Sequence, residues 1–259
     1  MRLATFNLLH GRSLSDGNVH ADRVAAAVAD LDADVLGLQE VDRAQPRSGL
    51  LDLTAIAAEA MGAPAHRFAA AVVGTPGEKW QPWRSDDDNA HPLYGIALIS
   101  RWPVLRWQIT QLPAAPVRSP VWIPGPGGGL MMLKDEPRVL IAAVIDAPTG
   151  PMTVANTHLS FIDWWNGRQL RQLMADVADD TGPVVLMGDL NMGPERAGRI
   201  TGMRPAVQLA TFPADAPTQQ LDHVLLRGGV RGSNGEAVRL PVSDHRALGV
   251  DLVRAPDAA

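Results

Sequence analysis

Short apolar runs of strand length recur along the whole chain and dominate its pattern of hydrophobic and polar positions. Several of them, such as Val184-Val185-Leu186-Met187, show no alternation of apolar and polar residues. Continuous apolar runs are typical of central strands whose two faces are both covered. The pattern predicts ten strands, at residues 3–7, 35–39, 68–73, 96–100, 104–109, 139–145, 153–158, 184–189, 222–226 and 248–253.

Three other segments carry a helical pattern. Residues 24–31 and 170–177 place apolar side chains at i, i+3, i+4 and i+7, which gives one apolar stripe on an otherwise polar helix. A third helix is predicted over residues 53–61. Strands outnumber helices and their spacing is irregular. This favours two packed sheets with helices outside over a regular alternation of strand and helix.

Two segments between these elements are predicted to be loops. Residues 75–92 are polar and contain Asp86-Asp87-Asp88, a charge run of the kind that usually faces water. Residues 113–137 are rich in proline and glycine, and long loops in compact domains are often functional lids. No clear domain boundary appears, so residues 1–259 are predicted to form a single domain with lid loops near 75–92 and 113–137.

The composition indicates a folded protein and excludes some kinds of site. Hydrophobic residues make up 46% of the chain, enough for a sizeable core, and the chain has no cysteine, which excludes disulfides and thiolate metal sites. The N-terminus carries no signal-peptide pattern, and no run approaches the length of a membrane span. We therefore expect a soluble, cytoplasmic monomer.

The charge balance bears on the type of substrate. The formal net charge is −5, and Lys79 and Lys134 are the only lysines. Nucleic-acid-binding proteins usually carry a basic face that neutralises phosphates. The scattered arginines weigh against tight duplex binding, although a local arginine patch would not be visible in the total.

Polar side chains suited to metal or phosphate chemistry stand at the ends of the predicted strands. They are Asn7, Glu40, His158, Asp189, Asn191, Asp222, Asp244 and His245. Taken singly, an Asp or Asn at a strand end commonly caps a turn or a helix. Taken as an ordered set, these residues supply hard oxygen ligands and imidazoles without a thiolate. Oxygen ligands are the donors that Mg²⁺ prefers.

Seven motifs carry these residues in a fixed order. They are Thr5-Phe6-Asn7, Gln39-Glu40, Tyr94-Gly95-Ile96-Ala97-Leu98-Ile99-Ser100-Arg101, Asn156-Thr157-His158-Leu159, Gly188-Asp189-Leu190-Asn191, Leu221-Asp222-His223-Val224 and Ser243-Asp244-His245. In this order they resemble the endonuclease/exonuclease/phosphatase superfamily, also called the DNase I-like fold. The resemblance implies a four-layer α/β/β/α sandwich, with two mainly antiparallel or mixed sheets packed face to face and helices outside. The site would lie at one edge of the two sheets.

The resemblance also implies a divalent cation, Mg²⁺ or in its place Mn²⁺, and hydrolysis of a P–O bond by metal-activated water. Glu40 would be the principal metal ligand, and Asn7 and Asp244 would assist it directly or through water. Asp189 would orient and deprotonate the attacking water. Asn191 would hold Asp189 or the phosphate in place.

The resemblance gives the two histidines a role at the phosphate. His158 and His245 would contact phosphate oxygens, and Asp222 would pair with His245. A carboxylate beside an imidazole favours the charged imidazolium, which can stabilise the transition state. The sequence leaves open whether Asp189 or His245 acts as the base. By strand alternation His223 points away from Asp222 and is expected to be structural.

Four further residues are candidates for substrate binding, each with a structural alternative. Tyr94 lies near the position of a phosphate-contacting tyrosine in related nucleases, although packing is the default for an aromatic residue at a strand start. His10 follows Asn7 closely and could contact substrate or close a local turn. Trp164 and Trp165 follow the His158 motif and, with Trp122, could form one wall of a pocket or pack in the core.

Three functions remain open at this stage. The first is a phosphodiesterase or phosphatase acting on a small molecule or lipid, and the second is a nuclease acting on DNA or RNA. The third is a non-catalytic module that binds metal or phosphate, which the completeness of the residue set disfavours. A calcineurin-like phosphoesterase would need an early Asp-x-His and a central Gly-Asn-His motif, and neither is present.

Overall fold

A computed structural model describes residues 1–85, 92–123, 129–148, 150–177 and 182–254. The helices are α1 (Ala21–Asp30), α2 (Leu53–Met61), α3 (Asp163–Asp176) and α4 (Pro194–Thr201), with short 3₁₀ turns at Leu9–Gly11 and Pro46–Ser48. The strands are β1 (Arg2–Asn7), β2 (Val35–Arg43), β3 (Ala65–Gly74), β4 (Trp80–Pro82), β5 (Leu93–Ser100), β6 (Val104–Leu112), β7 (Arg118–Ile123), β8 (Gly129–Lys134), β9 (Arg138–Ala147), β10 (Gly150–His158), β11 (Val184–Asp189), β12 (Arg204–Pro205), β13 (Asp222–Arg227), β14 (Val230–Val238) and β15 (Ala247–Arg254).

Two mixed sheets form the centre of the protein. The seven-stranded sheet has the order β14-β15-β1-β2-β5-β3-β4, and the six-stranded sheet has the order β12-β13-β11-β10-β9-β6. Each sheet contains one parallel pair, β1 with β2 and β10 with β11, and the other pairings are antiparallel. Each parallel pair brings two carboxyl ends to the same edge of its sheet.

Apolar side chains assemble these elements into four layers. The inner faces of both sheets share one core, to which Leu3 and Ile96 contribute from one sheet and Val154 and Met187 from the other. Helices α1 and α2 cover the outer face of the seven-stranded sheet, and α3 and α4 cover the outer face of the six-stranded sheet. This arrangement confirms the predicted α/β/β/α sandwich.

A buried polar bridge joins the two sheets beneath one edge. Asn156 Nδ2 on β10 donates to the carbonyl oxygens of Leu38 (3.0 Å) and Ala97 (2.8 Å), and its Oδ1 accepts from Gln39 Nε2 (2.7 Å). Gly37 makes room for this side chain, because a Cβ there would lie 2.8 Å from Asn156 Cγ. The bridge ties the six-stranded sheet to β2 directly before Glu40.

All ten predicted strands and all three predicted helices coincide with observed elements. The prediction of a long loop over residues 113–137 was wrong, because β7 and β8 form a separate two-stranded sheet there. Within the described residues these strands pair with each other, and β7 contains Pro120, a residue that argues against a strand within a sheet. The strand β4 likewise interrupts the predicted loop over 75–92, whereas Asp86-Asp87-Asp88 lies outside the described residues. Among the described residues no helix is both long and apolar enough to cross a membrane.

Candidate active site

A cavity of about 400 Å³ opens where the carboxyl ends of the two parallel strand pairs meet. Eight of the predicted site residues line it, namely Asn7, His10, Glu40, Tyr94, His158, Asp189, Asn191 and His245. A second cavity of about 500 Å³ contains none of them. Its two arginines, Arg23 and Arg239, are paired with Asp16 and Asp215. The groups able to do chemistry are therefore concentrated in the first cavity.

Glu40 reaches this cavity because β2 bulges at its position. The register of β2 against β5 shifts between Leu38 and Val41, and Glu40 has a φ of 53°, in the left-handed region. A bulge of this kind redirects a side chain and is often found beside active sites. Asn7 Nδ2 then donates to Glu40 Oε1 (3.2 Å) and to Asp189 Oδ2 (3.0 Å). One amide group thus links the carboxylates of the two sheets.

Carboxylates crowd around Glu40. Burial raises the pKa of Glu40 to about 7, the hydrogen bond from Asn7 opposes this rise, and the nearby charges of Asp244 and Asp189 add to it. The Asn7 Oδ1 atom accepts from the backbone N–H of Leu9 (3.1 Å), so Asn7 turns its amide hydrogens, not its oxygen, toward the carboxylates. The Glu40 carboxylate lines the cavity, whereas Asp244 is not among its lining residues. Carboxylate oxygens are donors that suit Mg²⁺, and a cation beside Glu40 would favour its ionised form.

Asp189 ends β11 at a point where two backbones come very close. Gly188 has a φ of 137°, and a Cβ on it would lie 1.9 Å from the carbonyl oxygen of Thr157. Only glycine fits this position. The backbone N–H of Asn191 donates to Asp189 Oδ1 (3.0 Å), which leaves Oδ2 directed toward Asn7 and the cavity. Burial, followed by the charge of Asp222, raises the pKa of Asp189 to about 6.

His245 is held between two carboxylates. Its Nδ1 lies 2.9 Å from Oδ2 of the fully buried Asp222, and its Nε2 lies 3.8 Å from Asp189 Oδ2. Ser243 fixes this loop, since its Oγ donates to the Asn7 carbonyl (2.6 Å) and accepts from the His245 N–H (3.0 Å). Burial alone would lower the pKa of His245, but the charge and hydrogen bond of Asp222 outweigh it and raise this pKa to about 10. The structure thus contains the predicted pairing of Asp222 with His245.

Asp189, Asp222 and His245 could in principle hold a metal themselves, because they offer ligand atoms within 4.8 Å of one another. A metal binds only the neutral form of an imidazole. The short contact between Asp222 and His245 favours the charged form instead. This cluster is therefore better suited to holding a proton than to holding a cation.

His158 has the opposite electrostatic environment. Its Nδ1 lies 3.3 Å from Arg138 Nη1, and its Nε2 lies 3.2 Å from Asn191 Nδ2 and 3.6 Å from Asp189 Oδ2. Burial, the Arg138 charge and the His245 charge lower the pKa of His158 well below its usual range. This favours the neutral ring, so any phosphate contact would come from an uncharged N–H group.

Several lining residues were missed by the sequence analysis, among them Arg47, Glu136 and Arg138. Arg47 Nε and Nη2 donate to both oxygens of the buried Asp42 (2.8 and 2.7 Å), and its guanidinium lies 5.5 Å from the Tyr94 ring centroid. None of these residues belongs to one of the seven motifs. The sequence Asp135-Glu136-Pro137-Arg138, a group of charges directly before an apolar strand, is the signal that could have indicated part of this set.

The prediction that Trp164 and Trp165 form a pocket wall was wrong, since neither lines the cavity. Trp165 is buried, and its Nε1 donates to the carbonyl oxygen of Pro113 (2.8 Å). Trp164 is 54% exposed on the first turn of α3 and packs edge-on against Trp165. The helix start turns both rings away, and Phe161 before it faces the cavity instead. The side chain of Trp122 lies outside the described residues.

The remaining candidates are placed as follows. His10 and Tyr94 both line the cavity. Burial and the charges of Arg47 and Arg12 lower the pKa of His10 to about 4. Burial raises the pKa of the Tyr94 phenol, which therefore remains protonated. His223 is fully buried outside the cavity lining, with Nε2 2.8 Å from the carbonyl oxygen of Met192, which agrees with its predicted structural role.

Comparisons with known proteins agree with this fold. The solved structure of an endonuclease/exonuclease/phosphatase from Beutenbergia cavernae superposes with a TM-score of 0.71 at 23% identity, over 100% of this chain and 73% of that one. A mannosyl-6-phosphatase from Bacteroides thetaiotaomicron gives 0.64 at 16% identity, over 98% of this chain and 99% of that one. Sphingomyelinase C from Streptomyces griseocarneus gives 0.61 at 17% identity, over 99% of each chain. No curated protein matches the chain in sequence.

These likenesses establish the fold, and the sequence model of one family establishes membership. The model of the Endonuclease/Exonuclease/phosphatase family matches residues 4–245. The matched segment runs from β1 to the Ser243-Asp244-His245 motif and includes every predicted strand-end residue. The chain therefore belongs to the endonuclease/exonuclease/phosphatase family, whose members hydrolyse phosphoester bonds.

Proposed function

We propose that this protein is a Mg²⁺-dependent phosphoesterase that hydrolyses a P–O bond of a small phosphate ester. The observation that carries the proposal is the bridge from Asn7 to Glu40 and Asp189. It brings carboxylates from both sheets to one cavity, with His245 3.8 Å from Asp189. Convergence of acids and an imidazolium on one concave site is the arrangement that phosphoryl chemistry requires.

Glu40 and Asp244 are the residues proposed to hold the metal. The charge of Asp244 helps to raise the pKa of Glu40, and Mg²⁺ commonly takes only one or two carboxylates besides water. When bound, the ion would neutralise charge on the phosphoryl oxygens and lower the pKa of bound water. Asn7 keeps Glu40 in place through its amide hydrogens.

Asp189 is proposed to accept the proton of the attacking water. Its Oδ2 faces the cavity, and a carboxylate whose pKa is about 6 is mostly ionised at neutral pH yet basic enough to accept a proton. His245 already carries its proton because of Asp222, so it is a poor base and a good donor to a phosphate oxygen. These opposite protonation states favour Asp189 over His245 as the base.

The dimensions and charge of the cavity support a small substrate. Its volume of about 400 Å³ lies within the range of small-molecule sites, roughly 300–1,000 Å³. Arg47 and Arg138 provide cationic groups, and Phe161 provides an apolar surface. A net charge of −5 disfavours a long polyanion. One structural neighbour is described as a mannosyl-6-phosphatase, so sugar phosphates belong among the first substrates tested.

The proposal is tested by a substrate panel with Mg²⁺ or Mn²⁺. The panel contains sugar phosphates, small chromogenic phosphomonoesters and phosphodiesters, sphingomyelin vesicles, plasmid DNA and RNA. Turnover is expected on a small ester and should fall by roughly 100-fold or more in Glu40→Gln and in His245→Gln. Arg239→Gln, in the second cavity, is the matched control and should retain activity.

Each alternative function has its own result in this panel. Preferred cleavage of DNA or RNA with a steep salt dependence would identify a nuclease. Failure of Mg²⁺ and Mn²⁺ to bind in a calorimetric titration, together with no turnover, would identify a non-catalytic module. Activity that survives both Glu40→Gln and His245→Gln would contradict the proposed site.

A further inference from the structure

Arg138, at the start of β9, makes its closest polar contact with a histidine ring. Its side chain is 7% exposed, and its Nη1 lies 3.3 Å from His158 Nδ1. The neighbouring carboxylates are farther away, with Asp135 at 3.7 Å and Glu136 at 4.0 Å. Within the described part of the chain, His158 is its only partner at hydrogen-bond distance. The guanidinium is therefore hydrogen-bonded to an imidazole, while both carboxylates lie beyond hydrogen-bond distance.

The His158 ring faces a donor at each nitrogen. Arg138 Nη1 lies near Nδ1, and the amide nitrogen of Asn191 lies 3.2 Å from Nε2. A neutral imidazole has one acceptor and one donor nitrogen, so it can accept from only one of these groups. A guanidinium always carries its hydrogens, and hydrogen bonds from charged donors are roughly twice as strong as neutral ones. Asn191 Nδ2 also has another acceptor, the carbonyl oxygen of Leu159, at 3.0 Å.

We infer that Arg138 is a positioning residue that holds His158 as the neutral tautomer with its proton on Nε2. With Nδ1 accepting from Arg138, the proton is on Nε2, which lies 3.6 Å from Asp189 Oδ2. A phosphate oxygen entering beside Asp189 would then meet an N–H donor instead of a lone pair. This catalytic consequence rests on the proposed function, whereas the tautomer itself does not.

The two imidazoles of the site are thereby set in opposite states by opposite partners. Asp222, an anion, holds a proton on His245, and Arg138, a cation, disfavours a second proton on His158. Burial acts in the same direction as Arg138 and keeps the pKa of His158 low. The cavity therefore contains one positively charged imidazole, that of His245, and one neutral imidazole, that of His158.

The tautomer is tested by NMR of the full-length protein labelled with ¹⁵N-histidine. The chain has seven histidines, and the His158 signals are identified by their loss in His158→Gln. Two-bond ¹H–¹⁵N correlations are expected to show Nε2 protonated and Nδ1 bare at neutral pH. A wild-type ring protonated on Nδ1, or on both nitrogens, would overturn the inference without need of any variant.

The variant Arg138→Met tests whether Arg138 sets the tautomer of His158. Once Arg138 is removed, the Asn191 amide is the remaining donor at the ring, so the proton is expected to move to Nδ1. Arg47→Met is the matched control, because it removes a cation that lines the same cavity and is hydrogen-bonded to Asp42 instead of His158. In this variant the His158 tautomer should stay unchanged. Persistence of the Nε2–H form in a folded Arg138→Met protein would contradict the assignment. If Arg138→Met does not fold, the wild-type spectrum still shows which nitrogen of His158 carries the proton, and a proton on Nδ1 would overturn the inference.

Kinetics separate positioning from direct substrate binding. If the phosphoesterase proposal holds, Arg138→Met should lower kcat by ~100-fold with a smaller effect on KM, as loss of an aligned donor does. A rise in KM alone, with the tautomer unchanged, would mean that Arg138 binds substrate directly and would overturn the inference. Absence of turnover in the wild type would refute the proposed function but not the tautomer, which is measured without substrate.

Discussion

Replacing Asn156 by leucine should weaken the protein more than most single substitutions, because this residue joins the two sheets. Its side chain takes part in three hydrogen bonds, to the carbonyl oxygens of Leu38 and Ala97 and from Gln39. It is fully buried, so water cannot replace the lost partners. Gln39 keeps an acceptor in Thr5 Oγ1 (2.9 Å), whereas the two carbonyl groups lose a donor.

The magnitude follows from this inventory. A buried hydrogen bond contributes about 1 kcal/mol net, and leaving a buried group without its partner costs about 1–3 kcal/mol. Three lost bonds therefore predict a loss of ~3 kcal/mol in the free energy of unfolding. For a chain of this size such a change lowers Tm by roughly 6–12 °C.

The measurement is urea unfolding of wild type, Asn156→Leu and the control Asn18→Leu. Asn18 is exposed, so its replacement should change the free energy of unfolding by less than about 0.5 kcal/mol. Gln39 precedes Glu40, so the metal affinity of Asn156→Leu should also fall relative to Asn18→Leu. A free energy of unfolding within about 0.5 kcal/mol of the wild-type value would refute the reasoning that the bridge stabilises the fold.

Three further predictions concern single positions. Gly188→Ala should prevent stable folding, seen as loss of a cooperative melting transition, since its Cβ would lie 1.9 Å from the Thr157 carbonyl oxygen; normal melting would contradict this close approach. Trp165→Ala should lower the free energy of unfolding by ~3–5 kcal/mol while leaving the ratio of turnover on small and large substrates unchanged, and an altered ratio would restore its role as a pocket wall. Burial lowers the pKa of His223 below its ordinary value of 6.5, so only the unfolded chain takes up this proton as the pH falls below 6.5, and stability falls with it. His223→Leu should therefore show a shallower loss of stability below this pH in denaturant titrations than wild type, and parallel curves would exclude the contribution.

The strand-end residues could be predicted because their signal is local. Asn7, Glu40, His158 and Asp189 each follow an apolar run, and parallel pairing brings the ends of such runs to one edge. The sequence did not reveal how Glu40 turns inward, because the bulge that redirects it depends on the register between β2 and β5. Register is a property of two strands and is not visible in either one alone.

The cationic side of the cavity could not be predicted for a related reason. Arg47 follows β2 in a short 3₁₀ turn and Arg138 begins β9, so in sequence both resemble ordinary surface arginines. Their placement depends on partners that are distant in sequence or buried, since Arg47 is held by the buried Asp42 and Arg138 contacts His158. For Trp164 and Trp165 the prediction failed in the opposite way. They follow the His158 motif in sequence, but the start of α3 determines where their rings lie, and this is not visible in the sequence.

Catalytic geometry and global folding should be inseparable in this protein, because no single element contains a working part of the site. Asn7 stands at the end of the first strand, and the loop before the last strand is fastened to it by Ser243, whose Oγ donates to the Asn7 carbonyl. Asp189 comes from the other sheet and meets the same residue through its amide. A small rotation of one sheet against the other would separate Asp189 from Asn7 and Glu40 together. The core between the sheets and the Asn156 bridge therefore act on the chemistry by setting the distance between the two sets of carboxylates.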